Sequence, residues 1–461
     1  MSNTNFKKEY INFFKDKKIT MLGLGLLGRG IGDALFLIPL VKSITITDKK
    51  TEIELSTSVA ELKNKLSTED FSKIKFVFGE NRVEDFVDVE FVIKAAGVPL
   101  DHECIAAAKA AGIPVYMSAA VVVDLIYKYM NTPLHGVKVI GVTGTRGKST
   151  TTMMIARVLE TAGKKVHLGG NVRGAANLPL LDKIKDGDYL VLELDSWQLQ
   201  GFGDMQISPQ ISVFTSFLDD HLNYYKGDRE AYFNDKANIY KWQKEEDVLI
   251  VSKQIQNAGL IQNAIVPPLY IGPMQLIGEH NKVLAGLALE VCIKLGADYD
   301  DIVKGMSNFK AVEGRLEYKG VYNFNNKKIS IYNDNNATTP DATVVGVDAV
   351  YDKHNKPCTL ICGGADKGLD LSKIIETIFD KSKVKHLILL KGTGTDKLKE
   401  GLKDFNFLEK EKLEECIAEA ARVSDDGDVI LYSPGFASFS TYFKNEYEKN
   451  DAFVRCIEEM V

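Results

Sequence analysis

The sequence predicts an α/β protein of three domains: a Rossmann-like N-terminal domain, a central P-loop ATPase-like domain with a parallel sheet, and a C-terminal Rossmann-like domain. The chain of 461 residues is too long for a single hydrophobic core, and its length corresponds to about three domains of roughly 150 residues. Short apolar segments alternate with helical ones, which is typical of parallel sheets. Two glycine-rich turns each follow an apolar strand and precede a helix. We place the domains at residues 1–117, 118–312 and 313–461.

Composition indicates a globular protein that acts on small molecules. Hydrophobic residues make up 45% of the chain and charged residues 26%, with a formal net charge of -6. This charge gives no basic surface for nucleic acid. No apolar run reaches the ~18 residues of a membrane span and the N-terminus has no apolar leader, so we expect a cytoplasmic protein without membrane insertion. The scattered cysteines form no CxxC motif and are expected to be reduced and mostly buried.

The first glycine turn lies in "KITMLGLGLLGRGIGDALFLIPLVKSITITD". Gly23, Gly25 and Gly28 form GxGxxG after an apolar strand, and Asp48 ends the next strand twenty residues after Gly28. Rossmann folds place a ribose-binding acid at this distance. The helix N-terminus after such a turn suits any diphosphate, so this motif alone leaves a dehydrogenase open. Further strands are predicted at "KIKFVFG", "VEFVIKAAG" and "IPVYM".

The second turn, "IGVTGTRGKSTTTM" from Ile140, has unusual spacing for a phosphate-binding loop. Its pattern is Gly141-x-x-Gly144-x-x-Gly147-Lys148-Ser149, whereas the standard loop has four residues between its first glycine and GK[ST]. Glycines let backbone N–H groups approach phosphate, the lysine adds a charge, and Ser149 or Thr150 offers a hydroxyl to Mg²⁺. The alternative is a tight strand-to-helix turn without a ligand.

A third α/β region is predicted after "NFKAVEG", near Gly314. Its strands are "KISIYND", "CTLICGG", "KHLILLKG" and "DVILYSPG", and each ends at a polar or glycine-rich turn. The carboxyl ends of strands are where open α/β sheets bind ligands. We therefore expect this region to contribute to a binding site.

Ordered motifs along most of the chain resemble the Mur ligase family. "GVTGTRGKSTTT" is similar to its ATP-binding segment, followed by "GGNVRGAANLPLL", "LVLELDSWQLQGF", "SFLDDHLNYYKGDREAYFNDKANIY" and "GEHNKVLAG". "YNDNNATTPDAT", "LICGGADKGLD" and "SPGFASFSTYFKNEY" are closest to the branch that adds D-glutamate to a UDP-linked muramoyl substrate. The resemblance implies an ATP-dependent ligase of peptidoglycan synthesis that phosphorylates a carboxylate, after which an amine displaces phosphate. ATP, Mg²⁺, the UDP-linked substrate and D-glutamate are the implied ligands, and we expect a monomer.

The resemblance also implies roles for particular residues. The catalytic group is Lys148, Glu193, His221 and Lys236, with Ser149, Glu193 and His221 on the metal and Lys236 carried as a carbamate. ATP would contact Gly144, Thr145, Arg146, Gly147, Lys148, Ser149, Thr150, Asn281, Arg315 and Asp334. The UDP-linked substrate would contact Gly25, Leu26, Leu27, Gly28, Asp48 and Asn171, and the amino acid Thr338, Lys367 and Ser438. Closure of the third domain would assemble the site.

Chemistry alone favours plainer roles for several of these residues. On chemistry alone, His221 is a hydrogen-bonded histidine and Lys236 is a surface lysine. Asn281 is a helix cap, and Lys367 is a solvated lysine in a turn. The resemblance reverses this preference for His221 and implies the family roles for the other three residues.

The chain also departs from the family pattern. Gly314 precedes Arg315 where the family usually has histidine, and Asn336 stands where it has lysine; Asp195 replaces a serine and Leu284 an asparagine. These departures leave open a sister ligase with another amino acid. A folylpolyglutamate-type ligase, a dehydrogenase and a non-catalytic nucleotide-binding protein are further alternatives.

Overall fold

In the computed structural model of the protein, the described residues are 3–26, 28–131, 136–221, 224–437, 443 and 446–459. Contacts divide the chain into two compact units. Unit 1 comprises Met1–Pro268 and Gly286–Gly305, and unit 2 comprises Leu269–Ala285 and Met306–Val461. Each unit is discontinuous in sequence. The division into three domains with the limits given above stays a prediction.

The N-terminal part of unit 1 alternates strands and helices as expected. Its elements are α1 (Asn3–Phe14), β1 (Lys18–Leu22), α2 (Arg29–Leu37), β2 (Ser43–Asp48), α3 (Glu52–Lys65), α4 (Thr68–Ser72), β3 (Ile74–Phe78), β4 (Phe91–Lys94), α5 (Glu103–Ala110) and β5 (Val115–Tyr116). The strands form a parallel sheet in the order β3-β2-β1-β4-β5. The central strand β1 is buried along four of its five residues, as expected for a sheet covered on both faces.

The second sheet of unit 1 contains the phosphate loop. The elements are α6 (Ser118–Tyr129), β6 (Lys138–Thr143), α7 (Lys148–Thr161), β7 (Val166–Gly170), β8 (Tyr189–Glu193), α8 (Ser196–Met205), β9 (Ile211–Phe214), α9 (Arg229–Ala237), β10 (Val248–Val251), α10 (Lys253–Asn257), α11 (Glu279–Lys294) and α12 (Tyr299–Ser307). The start of α11, up to Ala285, and the end of α12, from Met306, belong to unit 2. The parallel order β10-β9-β6-β8-β7 puts β6 at the centre. Because neighbouring parallel strands end at one edge, the turns after β6, β7, β8 and β9 meet there.

Unit 2 contains a mixed sheet. Its elements are β11 (Glu317–Phe324), β12 (Lys327–Asn333), α13 (Pro340–His354), β13 (Cys358–Cys362), α14 (Ser372–Phe379), β14 (Val384–Leu390), α15 (Thr393–Gly401), β15 (Leu408–Lys410), α16 (Leu413–Val423), β16 (Val429–Tyr432) and α17 (Glu446–Glu459). The order is β11-β12-β16-β13-β14-β15. The strands predicted from sequence are all present, and β11 adds an antiparallel edge strand. Asn325 and Asn326 both have positive φ in the hairpin between β11 and β12, as a two-residue primed turn requires.

Burial of the cysteines agrees with the sequence prediction. All are free thiols; Cys456 is partly exposed and the others are buried. Within the described residues, no helix is both long enough and apolar enough to cross a membrane.

Candidate active site

The predicted phosphate loop joins the buried end of β6 to the first turn of α7. Gly147 caps α7 with φ 84°, and the first helical bond runs from the Thr151 N–H to the Gly147 carbonyl at 3.0 Å. The N–H groups of the first helical turn have no partner within the helix and are available to bind an anion. The loop is braced by residue 216, because the Thr145 N–H donates to the Ser216 carbonyl at 2.7 Å and the Arg146 N–H to the Ser216 hydroxyl at 2.9 Å. These bonds preform the loop.

Gly144 is required where the loop passes over the end of β9. Its φ is 146°, and a Cβ built on it would collide with the Thr215 hydroxyl and approach the Ser216 nitrogen to 2.9 Å. A side chain there would push the loop away from the strand. This close approach explains why the unusual spacing keeps a glycine at 144.

Two lysine amines converge on the carbonyl oxygen of Gly144. Lys148, the first residue of α7, donates to it at 3.0 Å, and Lys236 donates to it at 3.0 Å from α9. Lys236 is 2% exposed, so the expectation of a surface lysine drawn from chemistry alone does not hold. The structure therefore brings together two of the four predicted catalytic residues.

Burial holds the pKa of Lys236 well below its ordinary value. The positive charges of Lys148 and Arg146 lower it further, against the opposite effect of Asp195 and Asp220. Desolvation and neighbouring cations both disfavour an ammonium ion. The environment of Lys236 thus favours the neutral form of the amine over the ammonium ion.

His221 lies next to a residue that contacts the loop. The Arg146 guanidinium pairs with the Asp220 carboxylate at 2.9 Å, and the backbone N–H of His221 donates to that carboxylate at 2.9 Å. The His221 backbone has φ 56°, and its ring packs against Trp197 with centroids 4.8 Å apart. Positive φ is uncommon outside glycine and marks a position held by its surroundings.

Glu193 and Asn171 meet because their strands are paired. Glu193 ends β8 opposite Gly170 of β7 and is 5% exposed. The Asn171 N–H donates to the Glu193 carbonyl at 2.7 Å, and the Asn171 side-chain oxygen accepts from the Arg29 guanidinium at 2.5 Å. Arg29 begins α2 directly after the first glycine turn. The sequence analysis did not predict this contact. The only signal for Arg29 in the sequence is its position directly after the glycine turn, and that position does not identify Asn171 as its partner.

The first glycine turn is tied to Asp48, as the Rossmann pattern predicts. The Gly25 N–H donates to one carboxylate oxygen at 3.1 Å, and the Lys50 N–H donates to the other at 3.0 Å. Gly28 precedes α2 with φ 81°, and Leu26 is 43% exposed. Asp48 therefore already has a structural role in holding the turn. Leu27 lies outside the described residues.

In unit 2, Asp334 is a buried carboxylate beside Arg315. It is 8% exposed, and its oxygens accept from the Leu316 N–H at 3.0 Å and the Ser433 hydroxyl at 2.9 Å. Burial raises the pKa of Asp334 to about 7, although the two hydrogen bonds and the charge of Arg315 act in the opposite direction. Arg315 and Asp334, two of the predicted nucleotide residues of this unit, thus influence each other.

The remaining predicted residues of unit 2 have local partners. Asn281 lies in the first turn of α11, and its side-chain amide nitrogen donates to the Ile277 carbonyl at 2.8 Å; this bond ties the helix start to the preceding segment and is not a helix cap, in which a side-chain oxygen accepts from a backbone N–H. Burial lowers the pKa of the preceding His280 to about 4. The Lys367 amine donates to the Thr338 hydroxyl at 3.2 Å, so two predicted amino-acid contacts are adjacent. Ser438 lies outside the described residues.

The predicted metal residues do not form a preformed protein cage. Among the described residues, no group of three or more His, Cys, Asp and Glu side chains could hold a metal by itself. The prediction for Ser149, Glu193 and His221 instead combines a hydroxyl, one carboxylate and one imidazole. Mg²⁺ commonly keeps water and phosphate oxygens among its ligands. A protein site with only a few donors is therefore compatible with Mg²⁺.

These features define an α/β protein whose central sheet carries a phosphate-binding loop with two converging lysines. Residues 142–268 match the Mur ligase middle domain. A protein of Borreliella afzelii named UDP-N-acetylmuramoylalanine--D-glutamate ligase is 30% identical over 96% of this chain and 98% of its own. One of the same name from Caldanaerobacter subterraneus is 28% identical over 97% and 99%. The chain belongs to the Mur ligase family.

Solved structures share the fold at low sequence identity. UDP-N-acetylmuramate-alanine ligase MurC of Thermotoga maritima aligns with a TM-score of 0.61 at 17% identity, covering 96% of this chain and 100% of that one. MurF of Acinetobacter baumannii aligns with a TM-score of 0.56 at 13% identity, covering 97% and 92%. The predicted α/β class is confirmed.

Proposed function

We propose that this protein is the ATP-dependent ligase of peptidoglycan synthesis that adds D-glutamate to UDP-N-acetylmuramoyl-L-alanine. ATP phosphorylates the substrate carboxylate, the amine of D-glutamate displaces phosphate, and ADP and phosphate are released. The observation that carries the proposal is the convergence of Lys148 and Lys236 on the Gly144 carbonyl, in a chain similar over 96–97% of its length to proteins named D-glutamate ligases. In this proposal the protein acts as a cytoplasmic monomer.

The loop supplies charge stabilisation rather than a nucleophile. Phosphoryl transfer requires positioning and cations, because negative charge spreads over the phosphate oxygens. The residues Gly144, Thr145, Arg146, Gly147, Ser149 and Thr150 would surround the phosphates, and Lys148 would donate to them. Its present bonds to backbone carbonyls hold the amine at the loop until nucleotide replaces them.

A carbamate on Lys236 would turn a cation into a carboxylate-like partner for the metal. The buried position and lowered pKa of Lys236 favour the neutral amine that carbamate formation requires, and Lys148 and Arg146 would stabilise the anion formed. Ser149, Glu193 and His221 would hold Mg²⁺, which supplies positive charge to the phosphate oxygens of ATP.

The UDP-linked substrate would bind the first glycine turn and Asn171. Gly25, Leu26, Leu27 and Gly28 precede α2, where a helix N-terminus favours a diphosphate. Asp48 fixes this turn through the Gly25 N–H, so its contribution is to shape the turn as well as to contact the nucleoside.

Unit 2 would contribute residues for the nucleotide and the amino acid. Arg315 and Asp334 are proposed for phosphate and ribose, and Asn281 for the base. Thr338, Lys367 and Ser438 are proposed for the carboxylates of D-glutamate. The bond between Lys367 and Thr338 supports a shared anion site, because an ammonium and a hydroxyl already lie side by side.

A second candidate is a sister ligase that adds another amino acid. Asn336 replaces a family lysine, which removes a cation expected near an acidic amino acid. The Asn336 side chain instead donates to the Glu313 carbonyl at 3.2 Å. This departure weakens the choice of D-glutamate and leaves amide ligation unaffected.

Phosphate release by the purified protein tests the proposal. The assay contains Mg-ATP and UDP-N-acetylmuramoyl-L-alanine, with D-glutamate, L-glutamate or other amino acids, and the conjugate is identified by mass. We expect release that requires D-glutamate. Lys148→Ala should abolish it, whereas Lys164→Ala, an exposed change beyond the end of α7, should not. Release with another amino acid would support the sister ligase, and release retained by Lys148→Ala would contradict the mechanism.

A further inference from the structure

A buried asparagine on α17 is bound to the residues just before Arg315. Asn450 is 3% exposed, and its amide nitrogen donates to the Glu313 carboxylate at 2.7 Å. Its amide oxygen accepts from the Asn333 side chain at 2.8 Å. Because a buried amide is costly to leave unpaired, these two bonds fix α17 against both the turn at 313–316 and the end of β12.

The loop after β12 holds the same turn from another side. The Asn336 N–H donates to the Gly314 carbonyl at 2.9 Å, and its side chain donates to the Glu313 carbonyl at 3.2 Å. The Asn335 side chain donates to the Glu446 carbonyl at 2.8 Å, at the start of α17. The turn, the loop and the helix therefore form one hydrogen-bonded group.

This group explains why Gly314 replaces the usual histidine. Gly314 has φ 67°, and a Cβ there would lie 2.9 Å from the Asn450 amide oxygen and 3.2 Å from the Asn336 amide nitrogen. The space of the missing side chain is occupied by two amides. The departures at positions 314 and 336 are thus structurally linked to each other and to Asn450.

The turn leads directly into the predicted nucleotide residues. Arg315 follows Gly314, and the next N–H, that of Leu316, donates to Asp334 at 3.0 Å. Leu316 has φ 47°, so this segment is held in an uncommon conformation by its neighbours. A shift of the turn would move Arg315 and alter the pairing of Asp334 together.

We propose that Asn450, through Glu313, is a positioning residue that sets Arg315 and Asp334 for nucleotide binding. This inference rests on the proposed function for the identity of the nucleotide as ATP. In this proposal Asn450 acts by fixing the backbone that positions Arg315.

Removal of the hydrogen bond from Asn450 to Glu313 provides the first test. Asn450→Asp keeps the oxygen that accepts from Asn333 but replaces the donor to Glu313 with a second carboxylate oxygen. We expect the KM for ATP to rise at least about tenfold, because a charge-assisted bond becomes a repulsion. The kcat and the KM for the UDP-linked substrate should change little. Asn323→Asp, which adds the same charge at an exposed site on β11, should leave all constants unchanged.

The double variant Asn450→Asp with Glu313→Gln distinguishes positioning from general stability. Its glutamine amide can donate to the new aspartate, so the bond returns with reversed polarity and the KM for ATP should return to within about threefold of wild type. An unchanged KM in the folded Asn450→Asp variant, or a double variant that restores the melting temperature but not the KM, would overturn the proposal.

Two further measurements keep the outcome interpretable. If Asn450→Asp does not fold, Glu313→Ala removes the exposed partner and should raise the KM for ATP in the same direction; an unchanged KM would overturn the proposal. The dissociation constant of ATP, measured by calorimetry on wild type and variants, needs no turnover. A wild-type protein without ligase activity would contradict the proposed function, whereas weakened ATP binding restored in the double variant would still support the positioning role.

Discussion

Lys148 and Lys236 donate to the same backbone atom, the carbonyl oxygen of Gly144, each at 3.0 Å. One carbonyl cannot compensate two adjacent positive charges in a buried setting. Burial lowers the pKa of the Lys236 amine well below its ordinary value, whereas Lys148 lies at the more open start of α7. The chemical difference between two similar side chains follows from their burial.

Replacing Lys236 with arginine should abolish ligase turnover. Arginine keeps the positive charge but cannot become a carbamate, because its guanidinium stays protonated in proteins. We expect phosphate release to fall by at least about a thousandfold, as for loss of a principal transition-state contact. Steady-state phosphate release measures this.

The same hypothesis predicts a dependence on dissolved carbon dioxide. Wild-type enzyme kept in carbonate-free buffer should lose activity, and bicarbonate should restore it. Lys241→Arg changes an exposed cation instead of the buried one and serves as control. Activity retained by Lys236→Arg would eliminate the carbamate from the mechanism.

Asp334 should make unit 2 less stable as pH rises. Its folded pKa of about 7 lies above the ordinary value of 3.8, so the folded state binds more protons between these values and the free energy of unfolding falls from about pH 4 to pH 7. Asp334→Asn keeps an acceptor for the Leu316 N–H and a polar partner for Ser433. It should flatten this dependence and raise stability at neutral pH by an amount on the order of 4 kcal/mol at most.

Nucleotide binding should respond in the opposite sense. If Asp334 accepts from the ribose, ATP affinity should be lower for Asp334→Asn, and wild-type affinity should rise as pH increases through about 7. Chemical denaturation and calorimetry across pH 5–8 measure the two effects. Parallel pH profiles for wild type and variant would show that Asp334 does not titrate in this range.

Lys449 should have the reverse pH dependence. It is 1% exposed, and burial lowers the pKa of its amine from 10.5 to about 7. The unfolded state binds more protons between these values, so the free energy of unfolding rises from about pH 7 to pH 10.5. Lys449→Met fills a similar volume without a charge and should increase stability, most strongly below pH 7, by up to about 5 kcal/mol.

Denaturant titrations at pH 6 and pH 9 test the role of Lys449. Lys412→Met, a change at a more exposed lysine of unit 2, should show no such pH-dependent gain. Equal stability of Lys449→Met and wild type at pH 6 would indicate that the buried amine is compensated by another group.

Arg29 should affect binding of the UDP-linked substrate. Its guanidinium donates to the Asn171 side-chain oxygen at 2.5 Å. Arg29→Met removes this bond, which orients the Asn171 amide that is proposed to contact the substrate. We expect the KM for UDP-N-acetylmuramoyl-L-alanine to rise about tenfold with the KM for ATP unchanged. Arg157→Met, on the exposed surface of α7, provides the control, and a rise in both KM values would indicate a general disturbance instead.

Sequence reasoning could predict the strands and the two glycine turns because these depend on local patterns. The alternation of apolar strands with helices and the glycines before Lys148 required no knowledge of distant residues. The edge strand β11 was missed because its residues are mostly partly or fully exposed, so no apolar run marks it.

Contacts between distant residues could not be predicted from the sequence. Arg29 and Asn171 are 142 residues apart, and Glu313 and Asn450 are 137 apart. Each pair meets only because the fold brings together a strand end or turn and a helix. Burial of Lys236 could not be predicted either, because the polar residues Asn234 and Asp235 precede it in α9 and the contacts that bury it come from the loop after β6.

The discontinuity of unit 1 has a consequence for synthesis on the ribosome. Residues 286–305 belong to unit 1, and Gly305 lies so close to Val158 of α7 that an added Cβ would be 2.9 Å from its Cα. The first unit therefore cannot complete its packing until the chain has been extended through residue 305, after the first segment of unit 2 has already emerged. Pausing of translation before that point would prolong exposure of the α7 surface to chaperones and proteases.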